Sequence, residues 1–239
     1  MEAQVAVVVH GQSSHGKDAL ANLIAEEFGP DHTFRCAFAD PLKAAAEVLI
    51  GIPKAVSYGS NDVKNTWTVY GKTARHWLQW LGTNIGRNGV SPLIWVDRLG
   101  AMARASGKPL VVVSDGRFPN ERLKFKDALQ SEAVLNVLIH RSAVKHLGKP
   151  PTAGWRLVSF LTNLPLVRRL VKPVVLMHES EAVIWRAKTD HLAARAKLFD
   201  RVVMNNGTLD DLRYEAKLIV EVLRDTYGLQ RPEPTTHAW

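Results

Sequence analysis

Residues 5–20 read VAVVVHGQSSHGKDAL, and this stretch predicts the class of fold. The apolar run from Val5 to Val9 is bounded by polar residues and glycine, which is typical of a buried parallel strand. Residues 11–17 then fit the pattern G-x-x-x-x-G-K, and a helical pattern begins immediately after them. Strand, glycine-rich loop and helix in this order predict a site for nucleotide phosphates. The loop N–H groups, the lysine charge and the helix dipole all attract anions.

This motif departs from the usual pattern at one position. Asp18 stands where P-loops normally have Ser or Thr, whose hydroxyl binds Mg²⁺. Asp18 is therefore either a candidate metal ligand or a first-turn acid stabilised by the helix dipole. The alternative to the whole assignment is a glycine turn with a solvated lysine. If a nucleotide binds, the residues expected at the phosphates of ATP are Gly11, Ser13, Ser14, His15, Gly16, Lys17 and Asp18.

Composition limits the class of protein. The chain has 239 residues, 46% hydrophobic and 23% charged, as expected for one folded α/β domain with or without inserts. The single cysteine, Cys36, excludes an internal disulfide and suits a reducing cytoplasm. No apolar run reaches the roughly 20 residues of a membrane span, so no membrane partner is expected. The net charge of +8 suits anionic partners, either nucleotides or nucleic acid.

Further strands and helices are predicted in alternation. Strands are expected at 33–38, 110–113, 134–140 and 201–204, with helices between them, which implies a parallel sheet with right-handed crossovers. Residues 51–71 are polar and irregular and are predicted to form a loop. Residues 73–85 and 92–102 have helical periodicity, and Trp77 and Trp95 are expected in the core rather than as base-stacking platforms.

Residues 141–197 interrupt this alternation. Residues 155–177 mix apolar and basic side chains and are broken by Pro165 and Pro173, which argues against a membrane-surface helix. A lid or a partner surface is expected here. A long helix is predicted from residue 178 to about residue 199.

Candidate functional residues follow the predicted strands, because ligands bind at the carboxyl ends of a parallel sheet. Asp115 is a candidate Mg²⁺ ligand, although an aspartate before Gly116 could equally stabilise a turn. Glu121 is placed to orient Arg117. Asn205 and Asn206 are placed to reach the adenine of ATP, or to form a turn before the last helix. Five arginines could clamp phosphates or simply lie on the surface: Arg75, Arg87, Arg117, Arg141 and Arg186.

A set of motifs resembles the deoxynucleoside monophosphate kinases of bacteriophages. The motifs are GQSSHGKD at 11–18, FADPLK at 38–43, RHWLQWLGTNIGR at 75–87, PLIWV at 92–96, DGRFPNE at 115–121, HESE at 178–181 and NNGTLDDL at 205–212. They run in the family's order through most of the chain. In this family Asp18 looks like a regular feature of the loop.

The resemblance implies an α/β P-loop kinase fold. This fold has three layers, a five-stranded mostly parallel sheet, a helical acceptor-binding insert and a lid insert. The core would comprise residues 1–40, 103–140 and 198–228, the acceptor-binding insert 41–102, the lid 141–197 and a tail 229–239.

The resemblance also implies the reaction and its residues. The activity would be transfer of the γ-phosphoryl group from ATP with Mg²⁺ to a deoxynucleoside monophosphate. Asp18 and Asp115 would meet the metal, and Lys17, Asp115, Arg141 and Arg186 would act in catalysis. The acceptor would meet Asp40, Lys43, Arg75, Gln79, Thr83, Arg87, Trp95, Arg117 and Glu121.

Three hypotheses stay open at the level of sequence. The first is the monophosphate kinase, in a host-cell cytoplasm if the chain is phage-encoded. The second is a P-loop kinase acting on modified bases in DNA, which the basic composition favours. The third is a nucleotide-binding module without catalysis, perhaps an assembly partner. A homodimer and the base preference are likewise left open.

Overall fold

The computed structural model describes residues 4–131, 133–141 and 198–230. The strands, in chain order, are β1 Val5–His10, β2 Thr33–Cys36, β3 Thr68–Val69, β4 Lys72–Thr73, β5 Leu110–Gly116, β6 Ala133–His140 and β7 Arg201–Met204.

The helices among the described residues surround these strands. In chain order they are α1 Lys17–Phe28, α2 Asp40–Ile50, α3 Lys54–Ser57, α4 Asn61–Thr66, α5 Ala74–Gln79, α6 Ile94–Ser106, α7 Pro119–Leu129 and α8 Leu209–Tyr227. A 3₁₀ turn spans Pro30–His32, and a π-helical segment, Trp80–Val90, follows α5. No described helix is both long and apolar enough to cross a bilayer.

Five strands form one parallel sheet in the order β2-β5-β1-β6-β7, and β3 and β4 pair as a separate antiparallel hairpin. β1 lies at the centre, and the chain moves from it to one side and later to the other. The carboxyl end of β1 is therefore the switch point at which ligands of such sheets bind. Residues 11–17, which we call the phosphate loop after its predicted role, begin at this end.

The two faces of β1 build two separate cores, because successive side chains of a strand point to opposite faces. Val5, Val7 and Val9 pack with the apolar faces of α1 and α8. Ala6 and Val8 pack with α6 and α7. The sheet is therefore covered by helices on both faces. The predicted three-layer α/β fold with a five-stranded parallel sheet is confirmed.

The prediction of a loop at residues 51–71 is wrong, because this stretch contains α3, α4 and β3. Its few apolar residues, among them Ile52, Val56 and Trp67, pack with Ala46 of α2 into a small core of their own. Ser60 caps α4 by accepting a hydrogen bond from the Val63 N–H at 3.3 Å. These contacts order a stretch that looks irregular in sequence.

The helix predicted at residues 73–85 is divided into α5 and the π-helical segment. Trp95 packs against this segment, where a Cβ on Gly86 would lie 2.5 Å from the indole ring. The Trp95 Nε1–H also donates to the carbonyl of Gly82 at 2.8 Å. Trp95 is 6% exposed, so its predicted place in a core is confirmed. α6, which carries Trp95, also packs its Leu99 against the sheet.

Several expectations lie outside the described residues. They are the lid at 142–197, the HESE motif, Arg186, most of the helix predicted at 178–199 and the end of the tail after residue 230.

Candidate active site

The phosphate loop follows β1 directly and leads into α1. Lys17, the first residue of α1, is buried, and its Nζ donates to the carbonyl of Gln12 within the loop at 2.6 Å. The backbone turns through Ser14 with a φ of +64°. The lysine charge, the loop amides and the start of α1 thus lie together, as an anion site requires.

Two glycines let this loop pass close to the ends of β6 and β7. Gly11 has a φ of +152°, and a Cβ there would lie 2.6 Å from the carbonyl oxygen of Ile139. Gly16 has a φ of +95°, and a Cβ there would collide with the side-chain nitrogen of Asn205. Any other residue would be strained at these φ values and would also have to displace a neighbour.

Asp18 points out of the helix start rather than into the core. Its side chain is 83% exposed and lies 3.2 Å from Nη2 of Arg35 on β2. An exposed ion pair of this kind adds little stability, so Asp18 is available to a ligand at modest cost.

A cavity of about 660 Å³ opens beside the loop, and its wall includes residues of α2, α4, α5 and the π-helical segment. Most of the residues predicted for the acceptor line it, together with two residues of the loop and Asp115. The predicted residues in its wall are Ser13, Asp18, Lys43, Arg75, Gln79, Thr83, Arg87, Trp95, Asp115, Arg117 and Glu121.

Four polar residues of this wall were not predicted from the sequence: Tyr58, Asn61, Lys64 and Ser114. The first three lie in the stretch that was predicted to be a loop. One sequence signal could have predicted α4. Ser60 is a good N-cap residue, and it directly precedes the first residue of this helix.

α4 organises the basic side chains of the cavity. Asn61 and Asn65 accept hydrogen bonds from Arg75 at 2.6 and 2.7 Å, which holds the guanidinium in place. Lys64, on the same short helix, donates to the carbonyl of Gly59 at 2.6 Å. This helix therefore brings its own cation to the cavity and orients a second one.

Four cations crowd this part of the cavity. Burial lowers the pKa of Lys64, and the nearby charges of Lys43, Arg75 and Arg117 lower it further. Mutual repulsion of this kind is relieved when an anion binds among the cations. We call Lys43, Lys64, Arg75 and Arg117 the cationic cluster.

Asp115 holds the turn that follows β2. One carboxylate oxygen accepts the Phe38 N–H at 2.6 Å, and the other accepts the Ala39 N–H at 3.1 Å. Burial raises the pKa of Asp115, whereas the Arg117 charge and these two hydrogen bonds lower it. Asp115 thus stabilises the turn after β2, which includes the first two residues of the FADPLK motif.

Glu121 holds the residues around Arg117 and binds Arg87. Its Oε2 accepts the backbone N–H groups of Arg117 at 2.7 Å and Phe118 at 2.9 Å, and its Oε1 lies 3.2 Å from Nη2 of Arg87. The carboxyl is 2% exposed. Burial raises the pKa of Glu121 to about 7, and the nearby Asp115 charge adds to this shift.

Asp40 supports the cavity without lining it. It accepts the Ala37 N–H at 2.7 Å and the Tyr58 hydroxyl at 2.9 Å. Burial and this hydrogen bond raise the pKa of Tyr58. The Lys43 ammonium lies 3.8 Å from the centre of the Tyr58 ring, a cation–π contact that steadies the lysine.

The remaining predicted residues lie outside this cavity. Arg141 is exposed directly after β6. The Asn205 side chain donates to the carbonyl of His15 at 2.9 Å, so β7 supports the phosphate loop through it. His15 is buried and meets the His140 ring edge-on at 5.1 Å. Asn206 is exposed next to Asn205, and a contact of either residue with adenine stays a prediction.

The acidic residues at this site fit a loosely held Mg²⁺ rather than a closed protein cage. The described residues contain no cluster of three or more His, Cys, Asp or Glu side chains that could hold a metal. Mg²⁺ in phosphoryl-transfer sites typically uses one or two carboxylates, waters and substrate phosphates. Asp18 and Asp115 line the same cavity as Ser13 of the loop, so two carboxylates are present there, and their contact with a metal stays a prediction.

Comparison with known proteins returned likenesses of fold only. No family model matches the chain, and no curated sequence matches it.

Among solved structures, a dephospho-CoA kinase from Campylobacter jejuni has 18% identity and a TM-score of 0.43, with 93% of this chain and 98% of that chain covered. A shikimate kinase from Acinetobacter baumannii has 12% identity and a TM-score of 0.43, covering 94% and 96%. A gluconokinase from Sinorhizobium meliloti 1021 has 15% identity and a TM-score of 0.40, covering 95% and 98%. The assignment of the fold rests on the strand order and loop geometry described above.

Proposed function

We propose that this protein is an ATP-dependent kinase that phosphorylates a deoxynucleoside monophosphate to the diphosphate, releasing ADP. One observation carries the proposal. The phosphate loop shares a cavity with a cluster of cations, so a donor phosphate and an anionic acceptor would meet there. The choice of a deoxynucleoside monophosphate as acceptor follows the resemblance of the motifs to the phage enzymes.

The cationic cluster suits the acceptor phosphate. Lys43, Lys64, Arg75 and Arg117 outnumber the acidic side chains with which they share the wall, and Lys64 is held near other cations although burial disfavours its charge. A phosphomonoester dianion would compensate these charges, and the oriented Arg75 can donate paired N–H groups to it.

The donor half would use the loop. Lys17, which donates to the Gln12 carbonyl, would exchange it for an oxygen of the β- or γ-phosphate. Asp18 and Asp115 would hold Mg²⁺ together with the phosphates, and the ion would supply positive charge beside the transferred group. The loop amides and the start of α1 would hold the β-phosphate in place.

The reaction needs little chemistry from the protein. An oxygen of the acceptor phosphate attacks the γ-phosphorus, the bond from that phosphorus to the bridging oxygen breaks, and ADP leaves with the bridging oxygen. The acceptor is already an anion at neutral pH, so no general base is required. Catalysis then consists of positioning the two phosphates and stabilising charge, which the cationic cluster and Lys17 can supply.

A coupled assay of ADP release tests the proposal. It would use ATP, Mg²⁺ and each of the four common deoxynucleoside monophosphates, with the diphosphate product identified by chromatography. We expect turnover with at least one of them, and loss of at least about 1,000-fold in kcat for Lys17→Ala with the circular dichroism spectrum unchanged. Lys72→Ala, on the exposed hairpin outside the cavity, is the matched control and should retain wild-type turnover.

Three outcomes would contradict the proposal. Near-normal turnover by Lys17→Ala would reject the assignment of the loop. Phosphate incorporation into DNA, with no turnover of free monophosphates, would favour a kinase acting on modified bases in DNA. Tight ATP binding with no transfer to any acceptor would favour a nucleotide-binding module without catalysis.

A further inference from the structure

The cavity has a second part whose chemistry differs from that of the cationic cluster. Trp95 and Phe118 provide aromatic surface there, and Gln79 and Thr83 provide neutral polar groups. Within the described residues the side chains of Gln79 and Thr83 have no hydrogen-bond partner, so their polar groups are available to a ligand. Aromatic walls with a few neutral donors and acceptors suit a planar ligand with polar edges.

Arg87 is the cation of this second part, and three contacts fix its guanidinium. Nη2 lies 3.2 Å from Oε1 of Glu121, and Nη1 donates to the Gly82 carbonyl at 3.4 Å. The guanidinium carbon lies 4.0 Å from the centre of the Phe118 ring. The Arg87 side chain is 20% exposed, so it is held in place yet reaches the cavity. These contacts leave further N–H donors of the guanidinium for a ligand.

Arg87 differs from Lys64 in its nearest charges. Nη2 of Arg87 lies 3.2 Å from Oε1 of Glu121, whereas Lys64 lies near the cations Lys43, Arg75 and Arg117. The buried Glu121 compensates the charge of Arg87. Because its charge is compensated, Arg87 is suited to donating directed hydrogen bonds rather than to attracting a phosphate.

We infer that this second part of the cavity binds the nucleobase of the acceptor, and that Arg87 selects guanine by donating to O6 and N7. The inference rests on the proposed function and names the base that the function leaves open. The cationic cluster takes the phosphate, so the base lies beside Arg87, with Gln79 and Thr83 near it.

Guanine is the base that matches a fixed pair of donors. Its O6 and N7 are adjacent acceptors on one edge, and arginine can bind both at once. Adenine has a donor, the N6 amino group, where guanine has O6, so one Arg87 N–H would face another N–H group. Cytosine has the same conflict at N4, and thymine offers a single acceptor at O4. One good bidentate contact discriminates by at least about 5-fold in affinity.

Isothermal titration calorimetry without ATP tests the inference separately from catalysis. We expect wild-type protein to bind dGMP at least about 5-fold more tightly than dAMP, and 7-deaza-dGMP, which lacks the N7 acceptor, more weakly than dGMP. Arg87→Gln should reduce the dGMP-to-dAMP ratio to within about 3-fold of unity. Arg98→Gln, an exposed arginine of α6 outside the cavity, is the control and should keep the wild-type ratio.

Arg87→Gln leaves Glu121 buried without its cation and could fold poorly. The double variant Arg87→Gln/Glu121→Gln removes both charges, and its dGMP-to-dAMP ratio should also approach unity. If neither variant folds, the wild-type affinities for dGMP, 7-deaza-dGMP and dAMP still test whether the site prefers guanine.

The outcomes separate this inference from the proposed function. Binding of dGMP and dAMP with similar affinity, or a preference for dGMP that survives in a folded Arg87 variant, would overturn the inference alone. A preference for dGMP that Arg87→Gln abolishes, without phosphoryl transfer, would support the inference and reject the kinase. Failure to bind any deoxynucleoside monophosphate would overturn both.

Discussion

Asp115→Ala should destabilise the protein even when no nucleotide or metal is bound. Asp115 accepts the backbone N–H groups of Phe38 and Ala39, and the substitution leaves both without their acceptor. Phe38 is 2% exposed, so its orphaned N–H costs about 1–3 kcal/mol. Ala39 is half-buried, and water can replace part of that bond, so its contribution is under about 1 kcal/mol.

The net effect is smaller than this sum, because removing the carboxylate also removes the unfavourable burial that raises its pKa. We expect a loss of about 2 kcal/mol in the free energy of unfolding. For a chain of this size, that corresponds to a fall in Tm of about 4–8 °C.

Thermal unfolding followed by far-UV circular dichroism at neutral pH measures this effect. Asp225→Ala, an exposed position near the end of α8, is the control and should leave Tm unchanged. Asp115→Asn should give an intermediate loss, because the amide oxygen keeps one hydrogen bond while the amide nitrogen faces the other N–H. A Tm of Asp115→Ala within about 1 °C of wild type would refute the conclusion that this carboxylate holds the turn.

Three further predictions concern other side chains around the site. Lys64→Ala should raise KM for the monophosphate by about 10-fold with little change in KM for ATP, whereas Lys72→Ala should change neither; equal effects of the two variants would contradict a phosphate contact. Asn205→Ala should raise KM for ATP and GTP by the same factor of about 3–10, because the side chain holds the His15 carbonyl. A loss confined to ATP would show that Asn205 contacts adenine instead. Burial raises the Glu121 pKa to about 7, so the folded chain binds this proton more tightly than the unfolded one, and Glu121 lowers stability as pH rises from about 4.5 to 7. Unfolding free energies should show that Glu121→Gln removes this contribution, on the order of 3 kcal/mol; parallel pH profiles would contradict it.

Much of the cavity wall is predictable because it lies on regular helices and beside strand ends. Gln79 and Thr83 are four residues apart, and both line the cavity across the junction of α5 and the π-helical segment. The sequence also places Asp115 and Arg117 at the end of a strand, and so at the ligand-binding edge. It does not predict where the Asp115 carboxylate points, because its partners lie 76 and 77 residues away in the chain.

By itself the sequence determines the phosphate loop and the parallel sheet, since both depend on local patterns. An apolar strand, a glycine loop and a lysine at a helix start need only neighbouring residues to be recognised. The tertiary structure decides what the cavity can bind. The folded chain brings Lys64 of α4 near Lys43 and Arg117, which are distant in sequence. The pairing of Arg87 with Glu121 likewise spans 34 residues and arises where α7 meets the π-helical segment. Charges and donors acquire a chemical role from their neighbours in space, and those neighbours come from distant parts of the chain.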